Sequence, residues 1–254
     1  MTPTSIQQLH RAKTGKVSDK WLSYLNYYDK EFAAIRDRPI KMLEIGVQNG
    51  GSLETWATFF HNALRIVGCD VDPRCSRLHY EDPRIQIAVQ DACSQQGYLA
   101  IKSLCNEFDL IIDDGSHQSD DILSAFVRYF PELNPGGTYI IEDACCLYMK
   151  NFGGGILNNR SALAFFKLIV DIINYQHWRA DVDLASLLQP YFNRETVPGF
   201  IQDGWVESIE FRNSLIIVRK ANQPGHNKLG DRLVVGNETM VQDWGGKFPG
   251  NLAN

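Results

Sequence analysis

The sequence predicts an α/β fold: a mostly parallel seven-stranded sheet with helices on both faces and an antiparallel hairpin at its end. Three observations predict it. Between residues 40 and 143, five short apolar runs alternate with helical stretches, the pattern of a parallel sheet covered on both sides. Near the end, "WVESIEF" (205–211) and "NSLIIVRK" (213–220) are separated by one residue, too few for a crossover, so these two strands must be antiparallel. The chain has 254 residues, 44% hydrophobic and 22% charged, enough to bury one large core.

The elements follow in order. Residues 1–39 read as a helical segment in which Leu22, Leu25, Tyr28, Phe32 and Ile35 recur at three- and four-residue steps. "IKMLEIGV" (40–47) is the first strand, and "SLETWATFF" after it is a helix that Ser52 is placed to cap. "RIVGCDVD" (65–72) and "RIQIAVQD" (84–91) are strands, "QGYLAIKSLCNE" a helix, "FDLIIDDG" (108–115) a strand, "DILSAFVRYFPEL" a helix and "GGTYIIED" (136–143) the fifth strand. The expected organisation is a helical segment (1–39), a core (40–220) and a tail or lid (221–254) ending in "DWGGKFPGNLAN". An insertion at about 145–198, with one long amphipathic helix, is expected to lie over the top of the sheet.

Composition excludes several functions. A net charge of -5 with no basic stripe speaks against a nucleic-acid partner. The N-terminus has no apolar core. The most apolar stretch, "ALAFFKLIVDII" (162–173), is too short to span a bilayer and carries Lys167 and Asp171. Six cysteines lack CxxC spacing, so neither a zinc site nor a dense disulfide framework is expected. A cytoplasmic chain with no membrane partner is the expectation.

Ligands of open α/β sheets bind beyond the carboxyl ends of the strands. Three features fall there. The glycines of "LEIGVQNGGS" (Gly46, Gly50, Gly51) let backbone approach a ligand and open a helix N-terminus, although the spacing is not the dinucleotide GxGxxG. Asp70, ending the second strand, can accept both hydroxyls of a ribose. Gln90 and Asp91, ending the third, suit an adenine amino group. A tight turn or a helix cap would explain any one of them alone; their succession at three strand ends favours a nucleotide site.

The fourth and fifth strands end in acids. Asp113 and Asp114 close one, Glu142 and Asp143 the other, and neighbouring parallel strands end at one level, so Asp114, Glu142 and Asp143 are placed to hold Mg²⁺. His117 follows Asp114 by three residues, one helical turn, at the expected start of the next helix. From there it is suited to take a proton from a hydroxyl whose pKa a cation lowers. A helix cap and a structural histidine are the ordinary alternatives. In "SDKW", Asp19 and Lys20 either reach a cofactor or start a solvated helix; Trp21, Tyr24 and Tyr28 suit a core or an interface more than an acceptor platform. His177 is a candidate for the acceptor pocket, and a soft-metal role for Cys145 and Cys146 is not expected beside hard oxygen ligands.

Glu44, Gly46, Asp70 and Asp91 in this order resemble the class I S-adenosylmethionine-dependent methyltransferases, with Gln48 where a second glycine commonly stands. The cadence of Asp114, His117 and the later acids is similar to that of metal-dependent catechol-type O-methyltransferases, whose base is a lysine. "SDKW", "LEIGVQNGGSLETW", "DDGSH" and "PGGTYIIED" resemble more closely the Mg²⁺-dependent sugar O-methyltransferases of natural-product pathways, the mycinamicin type. This resemblance implies a Rossmann-like methyltransferase fold and S-adenosyl-L-methionine as cofactor, held by Glu44, Gly46, Gly50, Ser52, Asp70, Gln90, Asp91 and Asp113. It also implies Mg²⁺ at Asp114, Glu142 and Asp143, with Asp114 and His117 catalytic and His117 the base. The implied partners are a glycosylated small-molecule acceptor and further copies of the chain, whose N-terminal segments help to build neighbouring sites. The segment after Asp143 would hold acceptor specificity. Two other readings stand beside it: a tailoring enzyme like the cephalosporin hydroxylases, with Fe(II) on the acids and histidine, and a catalytically silent S-adenosylmethionine- or sugar-binding partner.

Overall fold

A computed structural model of the chain describes residues 4–178, 181–225, 228–231, 233–238 and 240. Strands β1 (Lys41–Ile45), β2 (Arg65–Asp70), β3 (Ile85–Val89), β4 (Phe108–Asp113), β5 (Leu133–Ile141), β6 (Val206–Arg212) and β7 (Leu215–Lys220) form one sheet in the order β3-β2-β1-β4-β5-β7-β6. The first five are parallel. β7 runs antiparallel to both β5 and β6, the hairpin expected from the one-residue gap. The strand order reverses between β1 and β4, which opens a crevice at their carboxyl ends.

Helices α1 (Ile6–Ala12), α2 (Leu22–Glu31), α3 (Gly51–Phe59), α4 (Gln95–Leu104), α5 (Ser119–Tyr129) and α6 (Ala162–Ile173) are joined by short helical turns. Successive strand residues alternate faces, so Leu43, Val67, Ile111 and Tyr139 pack with α4, α5 and α6. Met42, Ile66, Leu110 and Ile140 pack with α2 and α3. Both faces are dry, which is why the strand sequences read as continuous apolar runs.

Two elements depart from expectation. In α2 the buried face is Tyr24, Leu25, Tyr27 and Tyr28, while Leu22 is exposed, because Tyr28 stacks on Phe32 (4.9 Å between centroids) and meets Trp56 edge-on (5.7 Å). The long helix of 145–198 does not sit over the sheet's carboxyl ends. Leu163, Phe165, Phe166, Ile169 and Ile172 of α6 are buried, and the helix packs on α5 and β6 as part of one covering layer. The segment "DWGGKFPGNLAN" lies outside the described residues. Among the described residues, no helix is long and apolar enough to cross a membrane.

Candidate active site

A cavity of about 740 Å³ lies over the carboxyl ends of β1 to β5. That volume suits a nucleotide-sized ligand with an acceptor beside it. Gly46 and Gln48 after β1, Asp70 after β2, Gln90 to Cys93 after β3, Asp113 to His117 after β4, and Glu142 and Asp143 after β5 line it. Asp19, Lys20 and Trp21 close one side. These three are held by the N-terminal segment, which crosses the start of α3: Gly51 donates its N–H to the Val17 carbonyl (3.1 Å), and Lys13 and Lys16 both pair with Glu54.

At the β1–β2 end the expected residues divide. Asp70 accepts the backbone N–H groups of Val47 (3.0 Å) and Gln48 (2.8 Å) on Oδ2 and that of Asp72 (2.8 Å) on Oδ1. Three of the about four acceptor positions of this carboxylate are thus taken by backbone, and Oδ1, with one bond, keeps the most room for a further donor. Gly46 has φ +85°, and a Cβ there would stand 2.0 Å from the Asp114 carbonyl oxygen, so only glycine lets β1 and β4 end this close together. Gln90 and Asp91 face the cavity, and Asp91 Oδ1 accepts the Cys93 N–H (2.8 Å).

Glu44, Gly50 and Ser52 do not line the cavity. Glu44 is buried beneath it, accepting from the Ser52 hydroxyl (2.5 Å) and Trp56 Nε1 (3.2 Å); burial raises its pKa, opposed by Lys20 3.4 Å away. Ser52 therefore serves Glu44 and does not cap α3, whose N-cap is Gly50. The left-handed turn at Gly50 leaves room for the Tyr80 hydroxyl, which bonds its carbonyl (2.9 Å). Asp113 accepts from the Tyr139 hydroxyl (3.1 Å) on Oδ2, and burial pushes its carboxyl up to about 7.

At the β4–β5 end Asp114 and Asp143 converge with His117, while Glu142, expected beside them as a metal ligand, is buried against Lys20 and Tyr28 and lies outside that group. Asp113 pairs with Ile141 in register, which sets Asp114 beside Glu142. Asp114, His117 and Asp143 each offer one ligand atom, all within 4.8 Å of one another. His117 Nε2 lies 4.0 Å from Asp114 Oδ1 and 3.9 Å from Asp143 Oδ2. His117 is not one turn along a helix from Asp114. It stands two residues ahead of α5, in a loop, with φ +57°. Asp143 (φ 49°) and Gln48 (φ 45°) are also left-handed, so three of the four such non-glycine residues described line this cavity. Each is a cost that the rest of the fold holds in place, as ligand-facing loops commonly require.

Lys20 reaches into the acids. Its side chain is 4% exposed, and Nζ donates to Asp114 Oδ2 (2.5 Å) and Glu142 Oε1 (3.0 Å). Burial alone would lower its pKa, but Glu142, Glu44 and Asp114 override that and raise it well above its usual value, so it is an ammonium. Three carboxyl groups crowd this one positive charge. Burial, reinforced by Asp114 and Glu44 and opposed by Lys20, pushes Glu142 up to about 8. A cluster so short of positive charge, made of hard oxygen donors, suits a divalent cation such as Mg²⁺.

Residues 43–144 match a family described as a methyltransferase domain. This stretch is a methyltransferase domain. Across 219 residues the chain is 31% identical to the 8-demethyl-8-alpha-L-rhamnosyl tetracenomycin-C 2'-O-methyltransferase of Streptomyces olivaceus, covering 82% of this chain and 53% of that one. It is 29% identical to the mycinamicin VI 2''-O-methyltransferase of Micromonospora griseorubida, covering 78% of this chain and 48% of that one. Among solved structures, MycE methyltransferase in complex with Mg, SAH and mycinamycin VI superposes with a TM-score of 0.65 at 26% identity, covering 80% of this chain and 50% of that chain. The chain thus spans about half the length of the curated relatives it matches.

Local pattern did not single out every residue that builds the domain's cavity. Lys20 was open between cofactor contact and solvated helix start, yet it is buried among acids 94 and 122 positions away. The available signal was "SDKW" itself, a lysine flanked by polar and aromatic residues ahead of a tyrosine-rich helix. His177 is not at the cavity; its ring bonds Gln176. Among the described residues, none from 145–198 lines the cavity.

Proposed function

We propose that the chain is an S-adenosylmethionine- and Mg²⁺-dependent O-methyltransferase acting on a sugar hydroxyl of a glycosylated small molecule. One observation carries the reading: a single cavity joins Asp70, at the ribose end, to an acidic and histidine cluster at the ends of β4 and β5. When bound, S-adenosylmethionine supplies an electrophilic methyl group and Mg²⁺ lowers the pKa of a hydroxyl beside it.

The chain's own residues supply the rest. Asp70 Oδ1 accepts one ribose hydroxyl, and Gln90 and Asp91 flank the adenine. Asp114 and Asp143 would hold the cation through the oxygens that face His117. Glu142, outside that group, has its Oε1 held by Lys20 and Tyr28 and braces Asp114 through Lys20. His117 Nε2 takes the proton that the acceptor hydroxyl loses, from a loop already pointed at the acids. The names of the relatives, which act on a rhamnosyl tetracenomycin and on mycinamicin VI, support a glycoside as acceptor, and the resemblance supports assembly as a homo-oligomer. In this single chain, Asp19, Lys20 and Trp21 already line their own cavity.

Calorimetric titration with S-adenosylhomocysteine tests the cofactor. Incubation of glycosides with S-adenosylmethionine and Mg²⁺, read as a methyl mass gain, tests the reaction. Saturable one-to-one binding with a chelator-sensitive mass gain is the expected result. No binding of S-adenosylhomocysteine refutes the reading.

A further inference from the structure

The three acids are not free to turn. Asp114 has Oδ2 held by Lys20 Nζ (2.5 Å), and Glu142 has Oε1 held by Lys20 Nζ (3.0 Å) and the Tyr28 hydroxyl (2.8 Å). Asp143 has Oδ1 held by Trp21 Nε1 (2.9 Å) and faced by the Tyr24 hydroxyl (2.9 Å), whose one hydrogen is shared with the Ser214 carbonyl (3.0 Å) and whose oxygen accepts the Asp143 backbone N–H (3.1 Å). All four donors come from one stretch, residues 20–28, that leads into and along α2. The oxygens that face His117 are the other ones, Asp114 Oδ1 and Asp143 Oδ2.

We propose that Lys20, Trp21, Tyr24 and Tyr28 are positioning residues, an outer shell that holds one oxygen of Asp114 and of Asp143, Tyr28 acting through the Glu142 oxygen that Lys20 shares, and so presents the other oxygen of each to a divalent cation. The inference deepens the proposed function and rests on its cation site. A terminal carboxylate rotates in a broad, shallow well, so without these donors each acid would present either oxygen or neither. Outer-shell donors of this kind fix ligand orientation, and their loss commonly costs about 10–100-fold in metal affinity. Trp21 has no comparable packing role: it is 62% exposed, whereas Tyr24 and Tyr28 are buried. Its indole N–H is therefore the cleanest of the four to remove.

The test is Mn²⁺ binding to the full chain, followed by electron paramagnetic resonance, beside calorimetric titration with S-adenosylhomocysteine. Trp21→Phe is expected to weaken Mn²⁺ by about tenfold or more, with S-adenosylhomocysteine affinity and melting temperature unchanged. In an Asp143→Asn background the same substitution is expected to cost nothing further, because Trp21 acts through that carboxylate. Tyr28→Phe provides an independent arm through Glu142. A merely structural role would lower Mn²⁺ and S-adenosylhomocysteine affinity together, and that result overturns the proposal. So does Mn²⁺ binding by Trp21→Phe and Tyr28→Phe equal to that of the unaltered chain. Failure of the unaltered chain to bind Mn²⁺ at all would instead overturn the cation site, and this inference with it.

Discussion

Gly46→Ala is the substitution on which the architecture of the site depends most directly, and Gly15→Ala is its control. The two glycines have nearly the same φ, +85° and +84°. Left-handed strain on an alanine costs about 1–2 kcal/mol, and the stiffer unfolded chain returns roughly 0.4–1 kcal/mol. Gly15 has nothing within 4 Å of an added Cβ, so about 1 kcal/mol is its whole expected loss. At Gly46 the Cβ would meet the Asp114 carbonyl oxygen at 2.0 Å and the Gly115 Cα at 2.8 Å. Real Cβ contacts stay beyond 3.0 Å, so a backbone segment has to move by about an ångström. The bonds at risk are Gly46 N–H to the Cys69 carbonyl (2.8 Å) and Asp114 N–H to the Ile45 carbonyl (2.8 Å). Leaving one of those buried groups unpaired costs about 1–3 kcal/mol. Gly46→Ala should therefore lose roughly 2–4 kcal/mol. It should also lose S-adenosylhomocysteine binding, since the strand ends that form the cavity floor are what shift. Urea unfolding followed by tryptophan fluorescence measures the first effect, and calorimetry the second. A loss no greater than that of Gly15→Ala would show that the β1–β4 approach is not the constraint described here.

Other substitutions separate the parts of the site. His117→Ala should cut turnover by about a hundredfold or more, the usual cost of losing a general base, with S-adenosylhomocysteine affinity unchanged; unaltered turnover would remove His117 from the mechanism. Asp70→Asn should weaken S-adenosylhomocysteine by about tenfold or more, because an amide cannot accept on both sides as the carboxylate does from Val47, Gln48 and Asp72; equal calorimetric affinity would count against Asp70 as the ribose contact. Asp113 carries a pH signature. Its carboxyl rises from 3.8 to about 7 on folding, so its contribution to stability is fully present below the lower value and is lost as the pH climbs through the upper one. Asp113→Asn should therefore gain on the unaltered chain by roughly 2–3 kcal/mol between pH 5 and pH 8 in urea unfolding. A pH-independent difference would refute the assignment.

Much of this was legible in the sequence because it is local. Strand and helix follow from periodicities of two to four residues, and the hairpin from a one-residue gap. Acids after the fourth and fifth strands share a level because parallel neighbours run in register, as Asp113 and Ile141 do. Burial of Glu44, Gly50 and Ser52 was not legible, since a strand end shows which residues lie near a ligand but not which of them turn beneath it. α6 was misplaced for a related reason: its apolar stripe says that it packs, while the choice of α5 and β6 as partners is tertiary.

By itself, then, the amino-acid order determined the element sequence, the parallel sheet with its reversed final pair, and the acids and histidine in the loops that line the cavity. Only the folded chain decided which oxygen of each acid is available. That depends on Lys20 and Tyr28, which meet Glu142 across 122 and 114 positions, and on Trp21 and Tyr24, which meet Asp143 across 122 and 119. Such contacts leave no periodic trace, because they join elements whose apolar faces pack independently of where a single donor points. The direction of a carboxylate is set by its last few hydrogen bonds, and those exist only once α2 has docked.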